Sequence, residues 1–335
     1  MSTGVVDPQW RAWVVENLVR GAEPAVLRNE LLEEGVPEAV ARDLLASVHD
    51  DVLAVARSLT HRVAALESMV KLRGAHRRVL PGEGATLDRI PLPSVDIFKQ
   101  QHWAPGVPVV FTDLVSAWPA FERWSLDDLD ARFGASTIVA CTGRNAAKHP
   151  DVDWRPHEQS MSVREFVHTL RSSEANDLYV TTNNAALTLD GLRGLLDDIQ
   201  VPEAYFGTLD PRFLGLWIGK RTHTPMHHDH ANGVLCQVVG RKRVVMVPPD
   251  SLAMLETARG VYNTCDNDED LAKVPGRIEL TLEPGEALFI PTGWWHRVDA
   301  EGISMSVSIR KFAWPNAFNW YRPGTALAGR EVPSE

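Results

Sequence analysis

The feature that most constrains this chain is the stretch from Phe213 to Ile309, where short apolar runs follow one another between Gly, Pro and Asp punctuation. Residues 214–218, 234–239, 243–247, 278–282, 287–290 and 304–309 each have the length of a strand, and several alternate apolar with polar residues. Successive side chains of an extended chain point to opposite faces, so alternation buries one face and leaves the other wet. Gly240 is expected between two of these runs as a hairpin or bulge glycine, and Pro284-Gly285 as a turn. Many short antiparallel strands with such turns form a sandwich or a barrel. The expected fold is mainly β with flanking helices: a double-stranded β-helix, or jelly roll, preceded by an α-helical region.

Upstream the period changes. Trp10, Trp13, Val14 and Leu18, then Leu27, Leu31 and Leu32, then Val40, Leu44, Leu45 and Val48 recur at helical spacing, and residues 51–72 read as a fourth helix. Residues 1–73 are therefore expected as an N-terminal helical region, serving packing, dimerisation or substrate recruitment. Residues 74–93, basic and then rich in Gly and Pro, read as a linker. Residues 94–335 read as the catalytic jelly-roll domain. Within it 107–111 and 178–182 are expected as strands, and 126–133 and 162–170 as helices, the latter opened by a serine cap. The aromatic segment WPNAFNWYRPG looks helical and is expected to support a homodimer.

Charge and cysteine content narrow the function. A formal net charge of −10 argues against a broad nucleic-acid or membrane-surface footprint, because both need a positive field. The cysteines Cys141, Cys236 and Cys265 are dispersed and show no CxxC spacing, which argues against a disulfide framework and a thiolate zinc site. The N-terminus lacks the basic start and apolar run of a signal peptide. No window reaches the roughly 18 apolar residues of a membrane helix. These features predict a soluble, cytoplasmic protein.

Three motifs carry chemistry. In Thr224-Pro225-Met226-His227-His228-Asp229, residues i and i+2 of an extended segment share a face, so His227 and Asp229 can meet at one point. Pro291-Thr292-Gly293-Trp294-Trp295-His296 follows a strand and a turn, as a later strand returning to the first would. Two histidines and a carboxylate on one side of a metal, with open positions opposite, is the arrangement of non-haem Fe(II) oxygenases. In Gly240-Arg241-Lys242-Arg243, a lysine on a neighbouring strand can pair with a carboxylate inside the barrel mouth, and Tyr179 and Thr224 can add hydroxyl groups. Each motif alone has a plainer reading: a solvated loop, a packed histidine, a charged strand edge. His223, four residues before His227 with a proline between, remains a rival ligand. His228 and His230 share the opposite face and read as supporting, substrate-side or exposed groups. Trp294 and Trp295 are expected to pack.

The stretches LWIGKRTHTPMHHDHANGVLCQVVGRKRVVMVPP, EPGEALFIPTGWWHRV and GISMSVSI, with PVVFTDLVSAWPAFERWSLDDLDARFG, MSVREFVHTL and DLYVTTNN upstream, resemble the JmjC/cupin-like oxygenases over about residues 90–320. The resemblance implies iron on His227, Asp229 and His296, and the cosubstrate 2-oxoglutarate near Tyr179, Thr224 and Lys242. Two places depart from the family's pattern. Where an asparagine often follows the aspartate ligand stands Gly233, preceded by Asn232; where another often lies on the last core strand stands Ser308. Asn232 and Ser308 are thus candidate cosubstrate contacts. The implied activity is hydroxylation of a peptide or protein side chain, coupled to decarboxylation of 2-oxoglutarate. Alternatives of the same chemistry are N-methyl-lysine demethylation and oxidation of a small molecule or natural product. A non-catalytic cupin-like binding protein, or a cupin enzyme using another metal without 2-oxoglutarate, stands further off.

Overall fold

The computed structural model of the chain describes residues 8–79, 87–147, 150–152 and 154–316. They divide into two compact units, one running to His76 and the other beginning at Arg77. The first contains helices α1 (Pro8–Val19), α2 (Pro24–Glu33) and α3 (Glu38–Ser47), and most of α4 (His49–Val79). Val14, Leu27, Leu31, Ala41, Leu44 and Val48 form its core, drawn from the helical periodicity of the sequence. Along α4, Val63, Leu66, Met69 and Leu72 stay exposed. The expected linker at 74–93 divides differently. Helix α4 continues to Val79, and Arg89–Ile90 is already a strand of the main sheet, paired in parallel with Val110–Phe111.

The second unit is built on eight strands: β1 (Leu214–Lys220), β2 (His223–His228), β3 (Gly233–Val239), β4 (Lys242–Val247), β5 (Ile278–Leu282), β6 (Ala287–Ile290), β7 (Trp295–Ala300) and β8 (Ile303–Ile309). They pair in the order β6-β3-β8-β1 in one sheet and β2-β7-β4-β5 in the other, all antiparallel. The chain therefore crosses repeatedly between two sheets, which is the double-stranded β-helix. Gly240 corrects the hairpin or bulge expectation: β3 and β4 lie in different sheets, so Gly240 turns a corner between them. Its φ is +74°, and a Cβ there would collide with the Ile303 carbonyl oxygen, so glycine is required.

The alternation in the first sheet is regular. Leu216, Ile218, Val234, Cys236, Met305 and Val307 face outward into a large core shared with Leu129, Phe166 and Leu170. Those last three come from helices Leu126–Phe133 and Val163–Ser172, each opened by a serine whose hydroxyl accepts a backbone N–H: Ser125 from Asp128 and Ser162 from Glu165. The strand expected at 178–182 is only Tyr179–Val180. Thr181 and Asn184 form a capping box that turns the chain into a short helix at Thr182–Asn184.

The inner faces are filled unevenly. At one end Leu235, Val244, Met246, Leu282, Leu288 and Val298 from both sheets close into a dry cluster. At the other end the inner positions of the first sheet include Gly215, Gly219, Ser306 and Ser308, as the register with neighbouring strands requires. Side chains from elsewhere take the space at both glycines: Thr182 and Ser308 at Gly215, Thr222 and Tyr179 at Gly219. At Gly219 a Cβ would come within 2.8 Å of the Tyr179 ring, so the glycine makes room for the tyrosine. The Phe312–Asn316 segment continues past β8 without forming a helix; the rest of the tail on which the dimer expectation rested lies outside the described residues. No helix among the described residues is long and apolar enough to cross a membrane.

Candidate metal centre and its cavity

The open end of the sandwich holds a cavity of about 600 Å³, and His227, Asp229 and His296 line it. The histidines sit on adjacent strands, where His227 of β2 is registered directly opposite His296 of β7. Directly opposed residues share a face, which brings the two rings to 4.1 Å between centroids. Asp229 follows β2, and its backbone carbonyl accepts the Gly293 N–H, tying it to the turn before His296. One donor atom from each of the three residues falls within a group spanning 4.8 Å.

Both imidazoles are oriented by their own backbone. Nδ1 of His227 lies 2.8 Å from the Pro225 carbonyl oxygen, and Nδ1 of His296 lies 3.0 Å from that of Trp294. A carbonyl only accepts, so each Nδ1 carries the proton and each Nε2 keeps its lone pair for a ligand. Burial, and then the neighbouring His227, lower His296 to about 4, which keeps it neutral at ordinary pH. Burial alone would raise Asp229, but His296, His227 and then Arg310 outweigh it and hold the carboxyl below its usual range. Two imidazole Nε2 atoms and one carboxylate oxygen suit Fe(II) with open positions toward the cavity.

Deeper in the same cavity lies Lys242, only 2% exposed. Among the described residues its ammonium makes no hydrogen bond or ion pair; its near neighbour is the Trp217 ring, at 5.8 Å. Burial lowers it to about 7. A buried ammonium without a counter-ion is unfavourable by itself, and an anionic ligand would relieve it. Tyr179 and Thr224 border the same space, their hydroxyl oxygens 3.5 Å apart. A dicarboxylate reaching from the metal to Lys242 fits this arrangement of donors.

Strict alternation would put Thr224 and His227 on opposite faces. The register between β2 and β7 shifts after the His227–His296 pair, so that Thr224 faces Val298. That bulge carries Thr224 inward and His223 outward. His223, left open as a rival ligand by its spacing, lies opposite Asp299. It hydrogen-bonds Asp299 at 2.7 Å and Asp266 at 3.1 Å. His228 packs edge-on against Trp295, outside the triad, and burial lowers it. Trp294 donates its indole N–H to the Gly106 carbonyl.

The candidate cosubstrate contacts divide. Ser308 lines the cavity and accepts the Trp217 indole N–H at 3.0 Å. Asn232 is a correction: it does not line the cavity, and its amide is committed elsewhere. Its oxygen accepts the Thr292 N–H, its nitrogen donates to Asn316, and it braces the two ligand-bearing segments against each other. Further wall residues, among them Tyr262, Asp151 and Arg310, escaped the sequence reading. Tyr262 is registered opposite His227, its ring 6.2 Å away, and its hydroxyl donates to the Asp151 carbonyl. Asp151 receives both its carboxylate bonds from the fully buried Arg144. Arg310 lines the wall beyond β8. The position of Arg310, two residues after Ser308, was the only readable signal; Asp151 and Tyr262 come from distant parts of the chain and carried none.

A family profile described as a cupin-like domain matches residues 94–318. Among curated proteins, Lysine-specific demethylase JMJ30 of Arabidopsis thaliana is 30% identical over 304 residues, covering 85% of this chain and 66% of the relative. Lysine-specific demethylase 8 of Xenopus tropicalis is 28% identical, covering 69% and 54%. Jumonji C domain-containing protein 5 of Drosophila melanogaster is 27% identical, covering 67% and 59%. The chain thus spans from about half to just under two thirds of the length of these relatives.

Proposed function

The chain belongs to the cupin-like JmjC family of Fe(II)- and 2-oxoglutarate-dependent oxygenases, and we propose that it oxidises a protein or peptide side chain, with N-methyl-lysine demethylation as the leading activity. One observation carries the oxygenase reading. The His227–Asp229–His296 donor set and the buried, counter-ion-free Lys242 share a single cavity. When bound, Fe(II) with 2-oxoglutarate would supply the chemistry by which O₂ turns a C–H bond into C–OH, one oxygen atom entering the product and the other the succinate released with CO₂.

The protein's own residues do the rest. His227, Asp229 and His296 would hold the metal, and the carbonyls of Pro225 and Trp294 keep both imidazoles in the ligating tautomer. Lys242, Tyr179 and Thr224 receive the far carboxylate and set the depth of the cosubstrate. Ser308 borders the same space. Leu235, Ile290 and Val298 of the apolar cluster form part of the cavity wall and offer water no hydrogen-bonding side chain there. On an N-methyl group, hydroxylation leaves a carbinolamine, which breaks its C–N bond to give formaldehyde and the free amine.

The demethylase reading is supported by relatives named as lysine-specific demethylases and by Tyr262, whose ring borders the metal side of the cavity and can face a methylammonium group. One observation favours plain hydroxylation as a second reading. Among the described residues, the lining carboxylate besides Asp229 is Asp151, already held by Arg144, while Arg259 and Arg310 add positive charge. Incubation with Fe(II), ascorbate, 2-oxoglutarate and a peptide library that includes N-methyl-lysines separates the two. Loss of a methyl group with formaldehyde marks demethylation; gain of one oxygen retained on the peptide marks hydroxylation. Neither product, with no succinate formed, would defeat both. Lys242→Ala is expected to weaken 2-oxoglutarate binding by about 10- to 100-fold, the value of a charge-assisted hydrogen bond. Unchanged affinity by calorimetry would remove the lysine from the site.

A further inference from the structure

The cavity contains a second cationic group that the reading above leaves without work. Arg310 follows β8 and occupies the next inward position after Ser308, with its side chain on the cavity wall. Its Nε is buried with no hydrogen-bond partner, and no carboxylate among the described residues forms an ion pair with its guanidinium. Its neighbour across the sheet is Gly233, where a Cβ would stand 4.0 Å from Arg310 Cγ. The absence of a side chain at Gly233 leaves that strip of wall to the arginine. Arg310 acts on Asp229 as a positive charge, yet forms no ion pair with it. The arginine is therefore close to the metal side of the cavity, with a gap between guanidinium and ligand carboxylate.

The backbone at Arg310 is held at both ends. Its N–H donates to the Phe213 carbonyl at 3.0 Å, and its carbonyl accepts from the Asn316 amide at 2.8 Å. Asn316 in turn pairs with Asn232, which braces the turn before His296. The guanidinium thus stands on a frame that also holds two of the three ligand segments, as a binding group with fixed placement should.

We infer that Arg310 binds the metal-chelating carboxylate of 2-oxoglutarate, the end opposite the one that Lys242 receives. The inference rests on the proposed oxygenase reading and deepens it. The cosubstrate carries two carboxylates, and among the described residues the cavity interior offers two cations without counter-ions, one deep at Lys242 and one toward the metal at Arg310. A planar guanidinium suits a carboxylate whose other oxygen is committed to a metal, because it can donate from two nitrogens along one edge. Arg259, which also lines the cavity, is exposed and donates to the Ala258 carbonyl, so it belongs to the mouth.

The test uses the full chain loaded with redox-inert Mn(II), with no peptide present, so that a role on the substrate does not register. Binding of 2-oxoglutarate and of pyruvate, which has the chelating end but no far carboxylate, is measured by calorimetry for wild type, Arg310→Ala, Arg310→Lys and Lys242→Ala. Thermal melting checks that each variant is folded, with Arg310→Gln as a replacement should the alanine variant fail. Arg310→Ala is expected to weaken both ligands by a similar factor, about 10- to 100-fold, with partial recovery in Arg310→Lys. Lys242→Ala should weaken 2-oxoglutarate alone. Wild-type affinity for both ligands in Arg310→Ala overturns the inference while leaving the oxygenase reading intact. Loss of 2-oxoglutarate with retention of pyruvate overturns it too, because the arginine would then serve the far carboxylate. A wild-type protein that binds Mn(II) but neither ligand overturns the reading and the inference together.

Discussion

On the outer face of β2, His223 sits between the carboxylates of Asp266 and Asp299; on its inner face, His227 stands ring to ring with His296 beside a single aspartate. The two environments drive imidazoles in opposite directions. Burial would pull His223 down, but its two carboxylates outweigh that and raise it to about 9. His296 falls to about 4, first through burial and then through the second imidazole. The outer histidine is therefore a charged fastener. It helps hold the Asp266 segment against the sheet, where Arg297 also bonds the Asp266 carbonyl. The inner pair, each with Nδ1 tied to a backbone carbonyl, keeps Nε2 free to donate a lone pair. The same residue type on one strand becomes structural or ligating according to what opposes it, and the bulge in β2 decides which faces which.

The strongest way to break the comparison is to remove the carboxylate from the inner side. Asp229→Ala leaves two imidazoles and is expected to lower Fe(II) or Mn(II) affinity by at least about 100-fold, more than loss of a supporting residue around a metal costs. Melting temperature of the metal-free protein should change little. Retention of metal at wild-type affinity would place the binding elsewhere. A smaller effect is expected outside. Asp266→Ala strands the Met226 N–H, which the carboxylate accepts at 2.8 Å, and should lower stability by about 1–3 kcal/mol in denaturant titration. Metal affinity measured in the folded variant should stay within a few-fold of wild type; a loss as deep as that of Asp229→Ala would mean the two faces are not separate.

The smallest effect sharpens the comparison through pH. A folded-state pKa of about 9, above the ordinary 6.5, means that the folded state holds a proton the unfolded state gives up. The resulting stabilisation is complete below pH 6.5 and disappears as pH rises through 9. His223 is 39% exposed, so solvent screens the pairs and the contribution should stay below about 1 kcal/mol. His223→Gln should flatten this part of the stability profile between pH 6.5 and 9. An identical slope in wild type and variant would assign it to another group.

Much of this was legible in the chain. Residues 278–282 and 287–290 appear as strands at the expected bounds, because alternation and turn residues are local properties. His227, Asp229 and His296 converge as the motif order suggested, and Lys242 enters the same cavity. Where local rules were overridden, a non-local contact was responsible. Gly240 could not be recognised as a corner without knowing that β3 and β4 pair with different partners. The amide of Asn232 is spent on Thr292 and Asn316, the latter 84 positions away, and no spacing rule reports such a bond.

The sequence by itself determined the element types, the donor atoms for a metal and the presence of a buried cation, since these follow from residue chemistry and from periods of two and 3.6 residues. Only the tertiary structure decided which face each donor occupies. One added residue in β2 reverses its inside and outside, carrying Thr224 into the cavity and His223 out of it. It also decided that Asp151, Tyr262 and Arg310, scattered along the chain, stand around one space, with Arg144 holding Asp151 from behind. Strand pairing and packing bring such residues together across long sequence separations, and that information exists only once the sheets have closed.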